Sequence, residues 1–104
     1  MKAYRFVPLA RNDYFDLLDF YEARQAGLGD RFANDVERFV TRVRRFPQIY
    51  SAVSRPPAGR DVRIGLTRRF RAVIAYEVTA THVIVLSVIH KRSRRQPWRR
   101  RLGP

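Results

Sequence analysis

The residues best suited to chemistry in this sequence are arginines, and they concentrate in its C-terminal half. Residues 62–104 hold 11 basic side chains and a single acidic one, Glu77. A guanidinium group is planar and can donate two parallel hydrogen bonds to one phosphate or carboxylate. The candidate contacts to a target or to nucleic acid are Arg63, Arg69, Arg71, Arg92, Arg94, Arg95 and Trp98.

Trp98 lies directly before Arg99, Arg100 and Arg101, and two interpretations of it are open. An exposed indole ring can stack on a nucleic-acid base. A buried ring would instead anchor the C-terminal tail to the body of the protein. We favour the anchor, because a small fold rarely leaves its only tryptophan unpacked.

Other catalytic patterns are weak. The sequence has no cysteine and two histidines, so it predicts no disulfide, no metal site and no cofactor. It contains neither a glycine-rich phosphate loop nor a nucleophile elbow. Acidic residues recur every third position in the first predicted helix, and we interpret them as a solvent-facing stripe rather than a catalytic pair. These residues are Asp13, Asp16, Asp19 and Glu22.

The charge balance of the whole chain predicts a polyanionic partner. Among 104 residues there are 22 Lys and Arg but nine Asp and Glu, a net charge of +13. Such an excess favours binding to nucleic acid, to the ribosome or to an acidic protein. The length suits a single domain over residues 1–104. No stretch approaches the roughly 20 apolar residues of a membrane span, so we expect a cytoplasmic protein without membrane contact.

The apolar periodicity predicts a strand followed by two helices. Residues 4–7 form a short strand candidate, ended by Pro8. Helical spacing of apolar residues then runs from about Leu9 to Gln25. Asp30 is a plausible N-cap for a second helix, which Pro47 ends. The buried stripe of this second helix is predicted to be Phe32, Val36, Phe39, Val40, Val43 and Phe46.

After an irregular connection over residues 48–60, the period changes to two, which is typical of strands. The predicted strands are Val62 to Leu66, Phe70 to Val78 and His82 to Ile89, and Thr79-Ala80-Thr81 forms the last hairpin turn. The sequence therefore predicts an α+β fold of order β-α-α-β-β-β. In this fold an N-terminal helical hairpin packs on a mostly antiparallel sheet.

Four segments, in this order and spacing, resemble the RelE/ParE toxin family, and specifically its plasmid-stabilisation branch. They are Phe6-Val7-Pro8-Leu9-Ala10 with Asp13 and Tyr21-Glu22; Gly27-Leu28-Gly29-Asp30-Arg31-Phe32; Arg68-Arg69-Phe70 leading into Val73-Ile74-Ala75-Tyr76; and Val88-Ile89-His90 with Arg92 and Trp98. The resemblance spans nearly the whole chain. It implies a growth-arresting toxin of a type II toxin–antitoxin pair, with a cognate acidic antitoxin as its partner.

The resemblance leaves the target open. RelE-like members cleave mRNA in the ribosomal A site, and ParE-like members poison DNA gyrase. If the chain is an enzyme, the resemblance implies a metal-independent endoribonuclease whose catalytic candidates are Arg63, Arg71, Arg92 and His90.

Two departures from the nuclease pattern favour the gyrase-directed branch. By position, Gly65 stands where the nucleases have a lysine, and Trp98 stands where they have a proton-transferring tyrosine. Tryptophan has no titratable hydroxyl, and arginine cannot accept a proton near neutral pH. His90 could substitute as a base, since its ordinary pKa is about 6.5. We also expect the apolar strands and the basic half to offer a groove for an acidic, partly helical antitoxin segment.

Overall fold

The computed structural model describes residues 1–103, and its element order confirms the prediction. Its elements are β1 (Ala3–Phe6), α1 (Pro8–Arg24), α2 (Leu28–Arg45), β2 (Asp61–Leu66), β3 (Val73–Val78), β4 (His82–Ile89) and a terminal 3-10 turn (Pro97–Arg101). Pro8 occupies the first turn of α1, where its missing N–H removes no helical hydrogen bond. The first helix therefore begins immediately after the first strand ends.

The four strands form one mixed sheet in the order β1-β4-β3-β2. The pairs β2–β3 and β3–β4 are antiparallel. β1 runs parallel to β4, with Ala3 opposite His82 and Phe6 opposite Val85. The N-terminal strand therefore pairs with the C-terminal strand at one edge of the sheet, and the helical hairpin carries the chain from β1 to β2 at the opposite edge. The fold is α+β, as the sequence predicted.

The main core lies between the helices and one face of the sheet. Phe32, Phe39 and Val43 of α2 are fully buried and belong to the same cluster as Ile74 and Tyr76 of β3. The predicted stripe is confirmed at these α2 positions and also at Val36 and Val40.

Phe46 is not part of this stripe, so its predicted burial was wrong. α2 ends at Arg45, and the backbone of Phe46 has φ −130° and ψ 76°, outside the helical region. Because the chain leaves the helical direction there, the side chain of Phe46 is 58% exposed.

The second helix also begins earlier than predicted. Gly27, not Asp30, is the N-cap, and its φ of 88° lies in the left-handed region that favours glycine. The Glu22 carboxylate of α1 accepts hydrogen bonds from the backbone N–H groups of Gly27 and Gly29. These hydrogen bonds lower the pKa of Glu22, since they favour its ionised form. One residue of the predicted acidic stripe therefore fixes the turn between the helices.

The opposite face of the sheet is covered by the C-terminal tail. Trp98 packs there with Val62, Ala75, Ile84 and Leu86, and its ring is 3% exposed. Both faces of the strands are therefore covered within residues 1–103. The helices pack on one face of the sheet and the tail packs on the other, and the expected antitoxin groove stays a prediction.

The exposed part of the β4 edge is completed by an ion pair rather than by a strand. β1 pairs with β4 only as far as Val85. Beyond it, Asp13 of α1 accepts a hydrogen bond from the Val88 N–H at 3.1 Å, and Arg101 donates to the Leu86 carbonyl at 3.0 Å. Asp13 and Arg101 also bind each other, with Nη1 and Oδ2 2.6 Å apart. The sequence predicted Asp13 to be part of a solvent-facing stripe, and this prediction was wrong.

Asp13→Ala is expected to lower the free energy of unfolding by about 1–3 kcal/mol, because it leaves the Val88 N–H without a partner and the Arg101 guanidinium with the Leu86 carbonyl alone. The side chains of Arg101 and Asp13 are only 13% and 17% exposed, so water replaces the lost bonds poorly. The measurement is urea-induced unfolding. Asp16→Ala is the matched control, because Asp16 is an exposed aspartate on the same helix. Equal midpoints for the two variants would contradict a structural role for Asp13.

None of the helices in residues 1–103 is both long enough and apolar enough to cross a membrane.

Candidate functional site

The loop between β2 and β3 holds three exposed arginines in a defined conformation. Thr67 closes the loop: its N–H donates to the Ala72 carbonyl and its Oγ1 accepts from the Ala72 N–H, both at 3.0 Å. Arg71 has φ 59°, an uncommon left-handed conformation for a residue other than glycine. Arg68, Arg69 and Arg71 all extend from this loop into solvent.

A buried carboxylate from α2 fixes the same loop. Asp35 is 3% exposed, and it accepts hydrogen bonds from the backbone N–H groups of Arg69 at 3.1 Å and Phe70 at 2.7 Å. Two successive N–H groups form a concave anion site, and here the protein's own aspartate occupies it. The backbone of the loop is thereby held against α2, and the guanidinium groups remain exposed.

One side of this loop borders a strongly basic cavity of about 340 Å³. Three parts of the chain meet there: the last turns of α1, the β2–β3 loop and the residues that follow β4. The residues that line this basic cavity are Phe20, Tyr21, Arg24, Arg69, Phe70, His90, Lys91 and Arg92. Four of these residues are Lys or Arg and none is acidic, so the cavity attracts anions.

His90 forms part of the wall of the basic cavity. Its ring lies 5.6 Å from the Phe20 ring and 6.2 Å from the Tyr21 ring. Burial lowers the pKa of His90, and the nearby cations Lys91, Arg92 and Arg24 lower it further. Its Nδ1 accepts a hydrogen bond from the Arg92 N–H at 3.1 Å. A neutral ring that accepts at Nδ1 carries its proton on Nε2.

Tyr21 also lines the cavity and is mostly buried. Burial raises the pKa of Tyr21 above the ordinary value of 10.0, because it disfavours the phenolate. The phenol therefore keeps its proton at neutral pH, so it can donate a hydrogen bond but cannot act as a base.

Arg63 lies away from the basic cavity, in the middle of β2. Its guanidinium is bound to the Asp61 carboxylate at 3.0 Å and to the Tyr50 carbonyl at 2.8 Å. The Arg63 side chain is 18% exposed. The structure thus ties Arg63 to the edge of the sheet and does not bring it together with Arg92.

Gly65 provides the space in which the Tyr50 ring packs. A Cβ atom at this position would lie 2.6 Å from the ring, which is shorter than any normal van der Waals contact. The same ring stacks on Phe39 with centroids 5.1 Å apart. A lysine at position 65 would have to displace the Tyr50 ring. The packing of Tyr50 therefore excludes the lysine that the nucleases have at this position.

The other candidate residues fall into two groups. Arg94 and Arg95 follow the basic cavity in sequence and are exposed. Trp98 is buried beneath the sheet, so its ring is not accessible for a base to stack on. Of the residues singled out from the sequence, the structure gathers Arg69, His90 and Arg92 in the cavity, with Arg71 in the adjoining loop.

A family model described as the ParE toxin of the type II toxin–antitoxin system parDE matches residues 4–95. The match covers both helices, β2 to β4, all of β1 except Ala3, and every residue that lines the basic cavity. The chain belongs to the ParE toxin family. No curated protein matches the chain.

Membership of the ParE toxin family makes this protein a toxin of a type II toxin–antitoxin system and implies a cognate antitoxin. The earlier resemblance to RelE/ParE toxins is therefore confirmed at the level of the family. Within residues 1–103 of this ParE toxin there is no group of three or more metal-ligating side chains.

The sequence did not point to Arg24 of the basic cavity, or to Asp35, which fixes the adjoining β2–β3 loop. Arg24 lies in the last turn of α1. Asp35 lies on α2, and its residue type predicts an exposed side chain. Arg24 looks like an ordinary charge at the end of a helix, which complements the helix dipole. Its place in the cavity depends on how α1 crosses β4, and no local pattern encodes that crossing.

Proposed function

We propose that this ParE toxin arrests growth by inhibiting DNA gyrase through direct contact, and that it does not cleave RNA. In this proposal the basic cavity binds acidic or phosphate groups of the gyrase complex. The cognate acidic antitoxin neutralises the toxin, and the pair acts in the cytoplasm to stabilise the plasmid or locus that carries it. The match to a ParE family model, rather than to a nuclease family, supports the choice of target.

The observation that carries the proposal is that no side chain lining the cavity is free to accept a proton. The three arginines and Lys91 are cations at neutral pH. Tyr21 keeps its phenolic proton, because burial raises its pKa. His90 already accepts a hydrogen bond at Nδ1 and carries its proton on Nε2. RNA cleavage requires a general base that removes the proton of the attacking 2′-hydroxyl.

What remains in the cavity is suited to binding. Arginine side chains stabilise anionic groups through paired hydrogen bonds, and the rings of Phe20 and Phe70 provide apolar contact area beside them. The residues that contribute most to binding at protein interfaces are commonly arginines and aromatic residues in concave sites. The arrangement therefore supports inhibition by binding to the target.

Two assays on one preparation of the purified toxin test the proposal. We expect the toxin to arrest plasmid supercoiling by purified gyrase and to leave translated mRNA uncut, as measured by primer extension in the presence of ribosomes. Cuts in phase with codons, together with normal supercoiling, would show that the ribosome is the target and would overturn the proposal.

A further inference from the structure

The solvent-facing side of α2 carries a straight row of arginines that is separate from the C-terminal concentration of charge. Arg31, Arg38 and Arg45 are exposed and are spaced by seven residues, which is close to two helical turns. They therefore lie on one line along the helix. With a rise of about 1.5 Å per residue, the row is about 21 Å long.

This row is continuous with the basic cavity. A cavity of about 450 Å³ lies beside Arg38 and Arg45, and one of about 400 Å³ lies beside Arg31, Arg38 and Arg69. The first two share Arg38, and the second shares Arg69 with the basic cavity. The three cavities form one surface, which we call the basic trough. Its cations are Arg24, Arg31, Arg38, Arg42, Arg45, Arg69, Lys91 and Arg92.

The charges of the basic trough are not balanced internally. The ion pairs found in residues 1–103 are Arg60–Glu77, Arg63–Asp61 and Arg101–Asp13, and none of their members lines the trough. Two acidic residues lie along it. The Asp35 carboxylate is engaged by two backbone N–H groups, which leaves Glu37 as the exposed carboxylate beside eight cations.

The length, charge and shape of the trough fit a phosphate backbone better than an acidic peptide. Phosphates of one DNA strand advance by about 3.4 Å along the helix axis, so about 21 Å spans roughly six of them. A peptide that folds on binding must bury apolar surface to offset the entropy of ordering. The trough offers such surface mainly at its two ends, where Phe46 is 58% and Phe20 is 42% exposed.

We infer that the basic trough, with Arg31, Arg38 and Arg45 of α2 as its central contacts, binds the sugar–phosphate backbone of duplex DNA. The choice of DNA rests on the proposed function, since DNA is the substrate that gyrase holds. The toxin would thus contact the DNA of the gyrase complex through the α2 part of the trough, and the protein through the basic cavity at the end of the trough. Binding of this kind depends on phosphate contacts and is independent of base sequence.

Two charge-matched triple variants test the inference. The trough variant carries Arg31→Gln, Arg38→Gln and Arg45→Gln. The control carries Arg5→Gln, Arg11→Gln and Arg100→Gln, three exposed positions that do not line the trough. Each variant lowers the net charge from +13 to +10. Fluorescence anisotropy of a labelled duplex of about 30 base pairs measures the affinity for DNA across a series of salt concentrations. Thermal melting checks that both variants fold.

We expect the trough variant to reduce the slope of log K against log salt by about 3 and the control to change it by less than about 1, since each lost phosphate contact removes about 0.9. Equal losses in the two variants would mean that binding follows net charge alone and would overturn the inference. Tighter binding to a duplex RNA of the same sequence, or to poly-L-glutamate, would also overturn it.

The supercoiling assay separates this inference from the proposed function. We expect the trough variant to inhibit gyrase more weakly than the control does. If the trough variant loses affinity for DNA but inhibits gyrase like wild type, gyrase inhibition stands and DNA contact has no part in it, which overturns the inference. If wild-type toxin does not inhibit gyrase at all, the proposed function fails, while the affinity of the trough for DNA is still read from the salt slopes.

Discussion

Phe39→Ala is expected to lower the free energy of unfolding by about 3–5 kcal/mol. Phe39 is completely buried. It stacks on Tyr50 with an interplanar angle of 11°, and its ring meets Tyr76 edge-on at 6.0 Å. Removal of the ring leaves a cavity between α2 and β3 and withdraws support from the Tyr50 ring above Gly65. A domain of this size has a total stability of roughly 5–15 kcal/mol, so the loss is severe.

Phe46→Ala is the matched control for this prediction, because it removes the same side chain one residue beyond the same helix. Phe46 is 58% exposed, so its truncation should change the stability by less than about 1 kcal/mol. Guanidinium-induced unfolding followed by circular dichroism measures both variants. Similar losses of stability in the two variants would show that the buried stripe of α2 has been assigned incorrectly.

The sequence predicted the elements because each has a strong local signal. A helical repeat of apolar residues identified the buried face of α2, alternation identified β2, and a nearly continuous run of β-forming residues identified β4. The parallel pairing of β1 with β4 has no such signal. Ala3 and His82 are opposite each other because the helical hairpin carries the chain to β2 at the far edge, and the antiparallel strands β2, β3 and β4 then return it to β1. Strand order depends on this long-range packing, which periodicity does not describe.

Two errors in the assignment of acidic residues have a common physical cause. Asp30 resembles an N-cap in sequence, but the cap groups of α2 are satisfied by Glu22 from the preceding helix. Asp13 resembles a solvent-facing acid, but it binds Arg101 from the far end of the chain. The carboxylates of Glu22 and Asp13, both predicted to face solvent, instead bind groups outside their own helix. Sequence periodicity assigns such residues to the surface because they are polar.

The functional surface was only partly predictable for a related reason. Counting charges by chain halves placed the basic site in residues 62–104 and assigned little to the first half, where acids offset most of the basic residues. In the structure several of those acids are engaged with backbone groups, as Glu22 and Asp35 are. The arginines of α2 face solvent beside the β2–β3 loop. The net charge of each half of the chain therefore did not predict the basic trough, because the residues of the trough come together only in the folded structure.

The double variant Arg69→Ala, Arg92→Ala is expected to raise the toxin concentration needed for half-inhibition of gyrase by about 100-fold or more. Arginines at the centre of an interface commonly contribute about 2 kcal/mol each, and about 1.4 kcal/mol corresponds to a factor of ten in affinity. Arg69 and Arg92 line the basic cavity from two different parts of the chain, so both guanidinium groups can bind one anionic group. Growth arrest on induced expression should weaken in parallel.

This double variant should retain the fold, because the hydrogen bonds found at both positions are made by the backbone. The Arg69 N–H binds Asp35 and the Arg92 N–H binds His90, and alanine preserves both bonds. The double variant Arg5→Ala, Arg100→Ala removes the same charge from outside the cavity and should inhibit gyrase almost like wild type. If the two double variants lose inhibition equally, the toxin acts through overall charge. If Arg69→Ala, Arg92→Ala inhibits like wild type, the contact with gyrase lies elsewhere on the surface, because the cavity would then lack two of its four cations without any consequence for binding.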